Sequence, residues 1–430
     1  MKRKILILFI LMILGSSTLH AQKILTLKGC YDLAMTANAL ASEKEAWSNI
    51  WKLKDGNLSK GHLPTLDANA SVSYNSDVVD FQSTFSSIPG LSSVITPMPH
   101  DMYKITLDIN QVIYDGGAIK GAKALEKADL NLNEKQTDVD LYKLRAQINL
   151  SYFNVLLLSR QKELLNNYLN IINKRLRSMQ SALSNGVIIR ADIDVLTSER
   201  IRIEQQLSES DIRKTALLSI LSDLTGSEID TSSTFVLPLP GVETTNEILR
   251  PELLVFDLRK EQLAAGLQMV ESKRMPKAFG FATLGYGNPP GSNFFKDSFE
   301  TYYIVGGGIK WNIFDWNKTK NEKQVITLQL GIIDNRKTDL TDNLKRLLKA
   351  KNAEISSLQS LIATDNELIT LRKRITAAAE SQYENGTITA TEYLNEMNSE
   401  RQAVVNYEIH KINLAIARIE YLNISGKEIE

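Results

Sequence analysis

The run Tyr103-Lys-Ile-Thr-Leu-Asp-Ile-Asn-Gln-Val-Ile-Tyr-Asp-Gly-Gly-Ala-Ile-Lys120 decides the architecture, because two kinds of element meet in it. Its first half alternates Tyr103, Ile105, Leu107 and Ile109 with Lys104, Thr106, Asp108 and Asn110. A period of two marks a strand with one apolar face. Past Gly116 and Gly117 the alternation ends. From Gly117 to Ser184 there is no proline and a single internal glycine, Gly121, so the chain continues as one very long helix. Leu165, Leu169, Ile172, Leu176, Met179 and Leu183 fall at alternating steps of four and three, the a/d seam of a coiled coil. Roughly 68 residues at about 1.5 Å each make a rod of about 100 Å.

The same passage returns 200 residues later. Ile113-Tyr114-Asp115 recurs as Ile313-Phe314-Asp315, and Asn185-Gly186 as Asn385-Gly386. Tyr103, Lys120, Leu144 and Leu158 match Tyr303, Lys320, Leu344 and Leu358 at the same offset. Pro64 and Tyr74, earlier in the unit, match Pro276 and Tyr286 at an offset of 212. The difference of 12 residues falls between Tyr74 and Tyr103 in the first copy and between Tyr286 and Tyr303 in the second. Length variation of that kind marks a surface loop. The chain is therefore two copies of one unit, each reading strand, loop, strand and long helix. In the first copy Leu66, Ala68, Ala70, Val72 and Tyr74 supply the apolar face of the partner strand. In the second, aromatics and Gly306-Gly307-Gly308 point to strands with close backbone approach.

Asn185-Gly186 and Asn385-Gly386 suit the left-handed backbone that ends a helix and reverses the chain. Segments of about half the rod length then return along each rod, and by arithmetic the termini and the linker meet midway. The expected order is a signal peptide at 1–21, a first repeat at 22–225, an equatorial linker at 226–246 and a second repeat at 247–430. The first repeat holds a helix near 26–60, strands at 65–75 and 102–114, a long helix at 117–184 and a return helix at 187–225. The second holds a helix near 246–273, strands at 277–287 and 301–314, a long helix at 317–384 and a return helix at 388–425.

Composition narrows the function. The 430 residues are 43% hydrophobic and carry 50 basic and 50 acidic side chains, enough for a large core and with no net field to attract nucleic acid. One cysteine excludes an internal disulfide and a cysteine zinc cluster, and His20, His62, His100 and His410 are scattered. No Ser/His/Asp set or carboxylate pair stands out, so the chain reads as a non-enzyme without cofactor or metal. Lys2, Arg3 and Lys4 precede an apolar run from Ile5 to Leu14, with Ala21 as the residue before cleavage, so the chain is expected to be exported. Cys30 lies too far beyond that run, with Lys28 two residues before it, to fit a lipid-attachment site.

The strands have the length that crosses a bilayer when tilted. Four strands cannot close a barrel, and an open edge in lipid leaves backbone groups unpaired. Two chains would give 8 strands and three would give 12. The alternative is a soluble four-stranded sheet capping a coiled-coil bundle.

Thr26-Leu27-Lys28-Gly29-Cys30-Tyr31-Asp32-Leu33-Ala34 resembles the opening helix of the TolC-like family of bacterial outer-membrane efflux channels. Leu63-Pro64-Thr65-Leu66 is similar to that family's entry to the first strand. Gln111-Val112-Ile113-Tyr114-Asp115-Gly116-Gly117 is similar to its strand exit, with Trp311-Asn312-Ile313-Phe314-Asp315 as the second-copy variant. The family often has Asn-Pro in the first helix, where this chain has Asn38-Ala39; the second copy has Arg250-Pro251. The resemblance spans about 24–426. It implies an α+β membrane protein in which a duplicated coiled-coil barrel is continuous with a trimeric 12-stranded transmembrane β-barrel, four strands from each chain. It also implies passive export through the outer membrane of a Gram-negative bacterium, with a large periplasmic portion. The implied partners are two further copies, outer-membrane lipid, a periplasmic adaptor protein and an inner-membrane efflux pump. The remaining readings are the channel of a one-step protein secretion system and a periplasmic coiled-coil scaffold without a pore.

In such a channel the tips would meet the adaptor through Asn185, Gly186, Val187, Ile188, Ile189, Asn385, Gly386, Thr387 and Ile388, or simply form turns and coiled-coil packing. Asp192 and Glu392, six residues after each tip glycine, would ring the entrance and favour cations, or be solvated helix carboxylates. Tyr383 would narrow the entrance or pack in the seam. Trp311 and Trp316 fit an interfacial aromatic belt, while Trp47 and Trp51 read as helix packing.

Overall fold

The computed structural model describes residues 24–79, 98–185, 188–241, 247–294 and 296–429. The expected signal peptide lies outside them. In chain order the elements are β1 (Ile24–Leu25), α1 (Leu27–Ala37), α2 (Glu43–Lys60), β2 (Thr65–Tyr74), β3 (Asp101–Tyr114), α3 (Ala118–Ser184) and α4 (Arg190–Thr225). Then follow β4 (Thr234–Phe235), α5 (Pro251–Ser272), β5 (Lys277–Asn288), β6 (Glu300–Lys310), α6 (Lys318–Glu384) and α7 (Ala390–Ser425). Both ends of α3 and of α4 reappear 200 residues later in α6 and α7. Two compact units result: one takes residues up to Glu43, Gln136–Leu254 and Thr338 onward, the other Lys44–Lys135 and Val255–Lys337.

The second of these units holds one antiparallel sheet in the order β2-β3-β5-β6. Leu66 faces Ile109, Ala68 faces Leu107 and Ala70 faces Ile105 across β2·β3. Ile105 in turn faces Tyr286 across β3·β5, and Leu284 faces Tyr303 across β5·β6. One face of the sheet is therefore mainly apolar, with Gln111, Asn288 and Thr301 as its polar positions, and its large apolar side chains are largely bare. On the other face Asp108 accepts from Thr283 Oγ1 at 2.5 Å, Asn69 Nδ2 at 2.8 Å and Thr106 Oγ1 at 2.9 Å. The expected close approach at the glycines has a cause. The rings of Phe281 and Phe279 lie over Gly306 and Gly308, where an added Cβ would meet them at 2.6 and 2.7 Å.

Where strand becomes rod, Asp115 accepts from the amides of Gly117 at 2.8 Å and Ile119 at 2.5 Å, closing the first turn of α3. Gly116 and Gly117 take φ of 71° and 84°, which glycine tolerates. Asp315 repeats the cap on the Thr319 amide at 2.9 Å, but the left-handed positions are now Trp316 (φ 53°) and Asn317 (φ 64°). Lys127 lies over the Trp51 ring at 4.7 Å, and Trp47 is half-buried. Trp311 and Trp316 are largely exposed.

The first unit is built on the seam. Leu165, Ile172 and Met179 of α3 are buried with Leu196 and Ile203 of α4 and with Tyr393, Leu394 and Met397 of α7. A second cluster unites Cys30 and Tyr31 of α1 with Ile148, Tyr152 and Val155 of α3, Leu218 and Leu221 of α4, and Ile412 and Ile419 of α7. The linker joins it: β4 runs parallel to β1, and Tyr152 Oη donates to the carbonyls of Leu25 (2.9 Å) and Val236 (2.6 Å). Cys30 is fully buried within α1.

Several boundaries differ from the sequence expectation. The opening helix is not continuous over 26–60, because Asn38 is extended and its side chain accepts from Leu40 N at 2.9 Å, starting a 3₁₀ turn at Ala39–Ser42. The helix expected at 246–273 begins at Pro251, the position where a missing amide costs nothing. The return helices begin at Arg190 and Ala390, since Ile189 and Thr389 are extended capping residues. The strand expected over 301–314 stops at Lys310, where its partner β5 begins at Lys277. Gly186 and Val187, and residues 242–246 of the linker, lie outside the described residues.

Candidate functional site

The tips of the two helical hairpins belong to the first unit. At the second tip, Gly386 (φ 69°) donates to the Tyr383 carbonyl at 3.0 Å, and Thr387 N donates to the Gln382 carbonyl at 2.9 Å. This paired closure is a Schellman turn. Asn385 and Thr387 stay exposed, and Asn385 Nδ2 donates to the Ser381 carbonyl at 2.8 Å. At the first tip, Asn185 N donates to the Ser181 carbonyl at 3.2 Å and the Asn185 side chain is exposed. Ile188 and Ile388 are each half-buried against the cluster beneath the turn.

The two acids both have local work. Glu392 accepts from Thr389 N at 2.8 Å and Thr389 Oγ1 at 3.0 Å, while Glu392 N donates back to Thr389 Oγ1 at 3.2 Å, a capping box at the start of α7. The Thr389 amide and hydroxyl hold the Glu392 carboxyl below its ordinary range. Asp192 makes half of the same box, accepting from Ile189 N at 3.3 Å, because an isoleucine has no side-chain acceptor to return. Glu392 is exposed and Asp192 half-buried.

Tyr383 packs in the seam. Its ring stacks on Tyr393, with centroids 5.6 Å apart and planes at 13°. Burial raises its pKa, and the negative charge of Asp192 raises it further, so the first-copy acid and the second-copy phenol are electrostatic neighbours. Arg175 completes the cluster: it pairs with Glu380, donates to Glu384 at 2.9 Å, and lies over the Tyr393 ring at 5.3 Å. Higher up, Arg401 approaches Glu199 at 3.3 Å and the Tyr168 ring at 5.8 Å. Sequence reasoning passed over Arg175, Tyr393, Arg401 and Glu199. Only the capping box, Thr389 followed by Glu392, was written locally.

Among the described residues no helix is long and apolar enough to cross a membrane, and no cluster of ligands fits a metal ion. The other candidate region is the sheet, whose mainly apolar face is exposed and whose outer edges, on β2 and β6, have no strand partner among the described residues.

A duplicated unit of two strands, a long helix and its return, with the four strands in one sheet, is the fold of the TolC-like outer-membrane channels. The structure aligns with CusC, described for its folding and transmembrane channel formation, over 94% of this chain and 92% of that one, with a TM-score of 0.68 and 13% identity. It aligns with the CmeC outer membrane channel of Campylobacter jejuni over 94% and 86%, at 0.64 and 15% identity. The open MtrE outer membrane channel of Neisseria gonorrhoeae matches over 94% and 89%, at 0.65 and 16% identity. No protein-family model and no curated protein matches the sequence. The likeness is one of fold, and it bears out the resemblance read from the strand-exit motifs.

Proposed function

We propose that this chain is an outer-membrane channel protein that passively exports small molecules. It works as a homotrimer in the outer membrane of a Gram-negative bacterium and serves a periplasmic adaptor and an inner-membrane pump that supplies the energy. The observation that carries this reading is the sheet: a mainly apolar face left bare and, among the described residues, two edges without a partner on a four-stranded contribution. In lipid each unsatisfied backbone group costs several kcal/mol, so such a sheet is stable there only inside a closed barrel. Three chains give twelve strands, with Asp108, Asn69 and Thr283 on the face opposite the apolar one.

The hairpin tips are the adaptor surface in this reading, with Asn185, Gly186, Val187 and Ile188 on one turn and Asn385, Gly386, Thr387 and Ile388 on the other. Asp192, Glu392 and Tyr383 stand at the channel entrance. Capping does not exhaust the acids, because a capping carboxylate keeps its charge and six of them would bias passage towards cations.

The test is the purified protein from outer membranes, by native mass spectrometry in detergent and then by conductance in a planar bilayer. A three-chain complex that conducts, and whose cation preference falls in Glu392→Gln, is expected. Glutamine still caps a helix, so that variant changes charge with the cap retained. A soluble monomer without conductance would overturn the proposal.

A further inference from the structure

Beside the linker, α3 and α7 each turn one face towards it. Tyr152 of α3 donates to the Val236 carbonyl, and Arg418 of α7 reaches the Pro240 carbonyl at 3.5 Å. A step of two residues turns an α-helix by about 200°. Leu150 and Asn154 of α3, and Ile416 and Glu420 of α7, therefore lie on the opposite face. All four line one pocket of about 790 Å³. That size falls in the range of small-molecule sites, about 300–1,000 Å³.

The pocket has an apolar wall and a cationic one. Phe153 and Ile412 are buried in the first, and Leu150 at its rim is 67% exposed. The second holds Lys143, Arg145, Arg250 and Lys351, with Glu420 as the one carboxylate among the lining residues. Three of these cations are served by nearby acids: Lys351 by Glu354 and Glu420, Arg250 by Glu252, and Lys143 by Asp140. Arg145 is less well served. Its side chain is 6% exposed, and its Nη2 donates to Glu428 at 2.9 and 3.1 Å. Its Nε and Nη1 are shielded and have no hydrogen-bond partner among the described residues, and Asn423 Oδ1, in the same pocket, likewise has no donor. The Tyr142 ring fixes the guanidinium from 4.4 Å. A buried charged group with unpaired N–H is costly, and a partner entering the pocket removes that cost.

Duplication shows that the repeated architecture does not require this combination. Shifted by 200 residues, Arg145, Leu150, Phe153 and Leu157 become Lys345, Ala350, Ala353 and Ser357, while Ile416 and Glu420 become Ala216 and Ile220. The aromatic and aliphatic wall beside a buried guanidinium belongs to one groove of the chain.

We infer that this pocket is a binding site for an amphipathic organic anion: the acid group meets Arg145, the apolar body lies along Leu150 and Phe153, and a donor on the same molecule meets Asn423. Where the pocket opens rests on the channel reading above. In that reading the face carrying the linker is the outside of the wall, so the pocket opens on the tunnel and holds such a molecule in transit. Asp192 and Glu392 lie about 30 Å of rod away, several screening lengths at physiological salt, so the entrance acids do not oppose binding here.

The test uses the full-chain complex purified from outer membranes, titrated by calorimetry with a bromonaphthoate and with the neutral bromonaphthamide of the same shape, each against a detergent blank. Saturable binding of one naphthoate per chain is expected, with the amide weaker by about tenfold or more. Leu150→Glu changes an exposed side chain at the rim and should weaken the naphthoate by about tenfold. Arg145→Gln should do the same, with its melting temperature checked alongside. Diffraction at the bromine absorption edge should place the halogen beside Leu150 and Phe153. Equal binding of acid and amide, binding unchanged in Leu150→Glu, or bromine found elsewhere overturns the site. In a planar bilayer the naphthoate should lower the conductance of the parent and not that of Leu150→Glu. A complex that conducts but does not bind the naphthoate overturns the inference and leaves the channel standing. Naphthoate bound in the pocket of a complex that does not conduct upholds the site and overturns the channel.

Discussion

Arg175→Ala should loosen the end of α6 from α3 by an amount the geometry bounds. Arg175 is largely buried, but Glu380 and Glu384 are 47% and 59% exposed in their side chains, so removing the guanidinium strands no buried charge. Each exposed carboxylate pair is then worth about 0.5–1 kcal/mol, and the stack on Tyr393 about 0.5–1 kcal/mol more. The total is about 1.5–3 kcal/mol, or roughly ten- to hundredfold in the equilibrium that frees the last turns of α6. Hydrogen exchange across 376–385 in the purified complex reads that equilibrium directly. Arg175→Lys should recover part of the protection, since it keeps the charge and loses the fork. Glu384→Gln should cost only the smaller share of one pair. An exchange rate within twofold of the parent in Arg175→Ala would refute the assignment of this cluster as the lock between hairpins.

Tyr152→Phe removes a buried hydroxyl that serves two carbonyls, so the joined β1·β4 region should lose about 2 kcal/mol, seen as a lowered melting temperature and faster exchange near residue 25. Gly386→Ala meets open space and should cost only the left-handed penalty of about 1–2 kcal/mol, whereas in Gly426→Ala the added Cβ lies 2.4 Å from the Leu249 carbonyl carbon and the loss should be at least twice as large in thermal scans. Burial pushes the Tyr31 phenol up to about 12 and raises Tyr152 and Tyr168 as well. Unfolded tyrosines ionise near 10, so above that pH the folded chain holds more protons and stability should fall between pH 10 and 12; circular dichroism unchanged across that window would contradict it. Glu392 has the opposite sign: its depressed folded pKa gives stability above the ordinary carboxylate range that is lost as pH falls through the folded value, a sensitivity that Glu392→Gln should remove from acid titrations.

Elements whose cause is periodic were legible in the sequence. The alternation of Leu66 to Tyr74 and of Tyr103 to Ile109 is the register of β2 on β3, and the a/d spacing from Leu165 to Met179 is the buried seam. Repetition added the rest, since each Asn-Gly pair marks where a rod ends. What escaped has a cause outside the local sequence. Lys310 ends β6 because a partner ends, not because Trp311 or Asn312 disfavours a strand. Arg175 meets Glu384 across 209 positions, and no spacing rule reaches that far. Asn38 interrupts the opening helix through one side-chain bond that a following alanine does not announce. The candidate site was legible only in part: Glu392 was found for its charge, but its cap was written beside it in Thr389 and went unread.

The left-handed pair Trp316–Asn317 leaves room for engineering. At these positions the first copy has Gly116–Gly117, and a bulky residue there is less stable than glycine by about 1–2 kcal/mol. What Trp316 recovers within the chain is an edge-on contact with Phe314, centroids 4.9 Å apart, worth about 0.5–1.5 kcal/mol. The second strand-to-rod junction thus carries a left-handed penalty that the first avoids, although both share the aspartate cap. Grafting the first copy's glycines onto it, Trp316→Gly with Asn317→Gly, should harden the isolated chain against heat, which makes this junction the natural starting point for a thermostabilised variant.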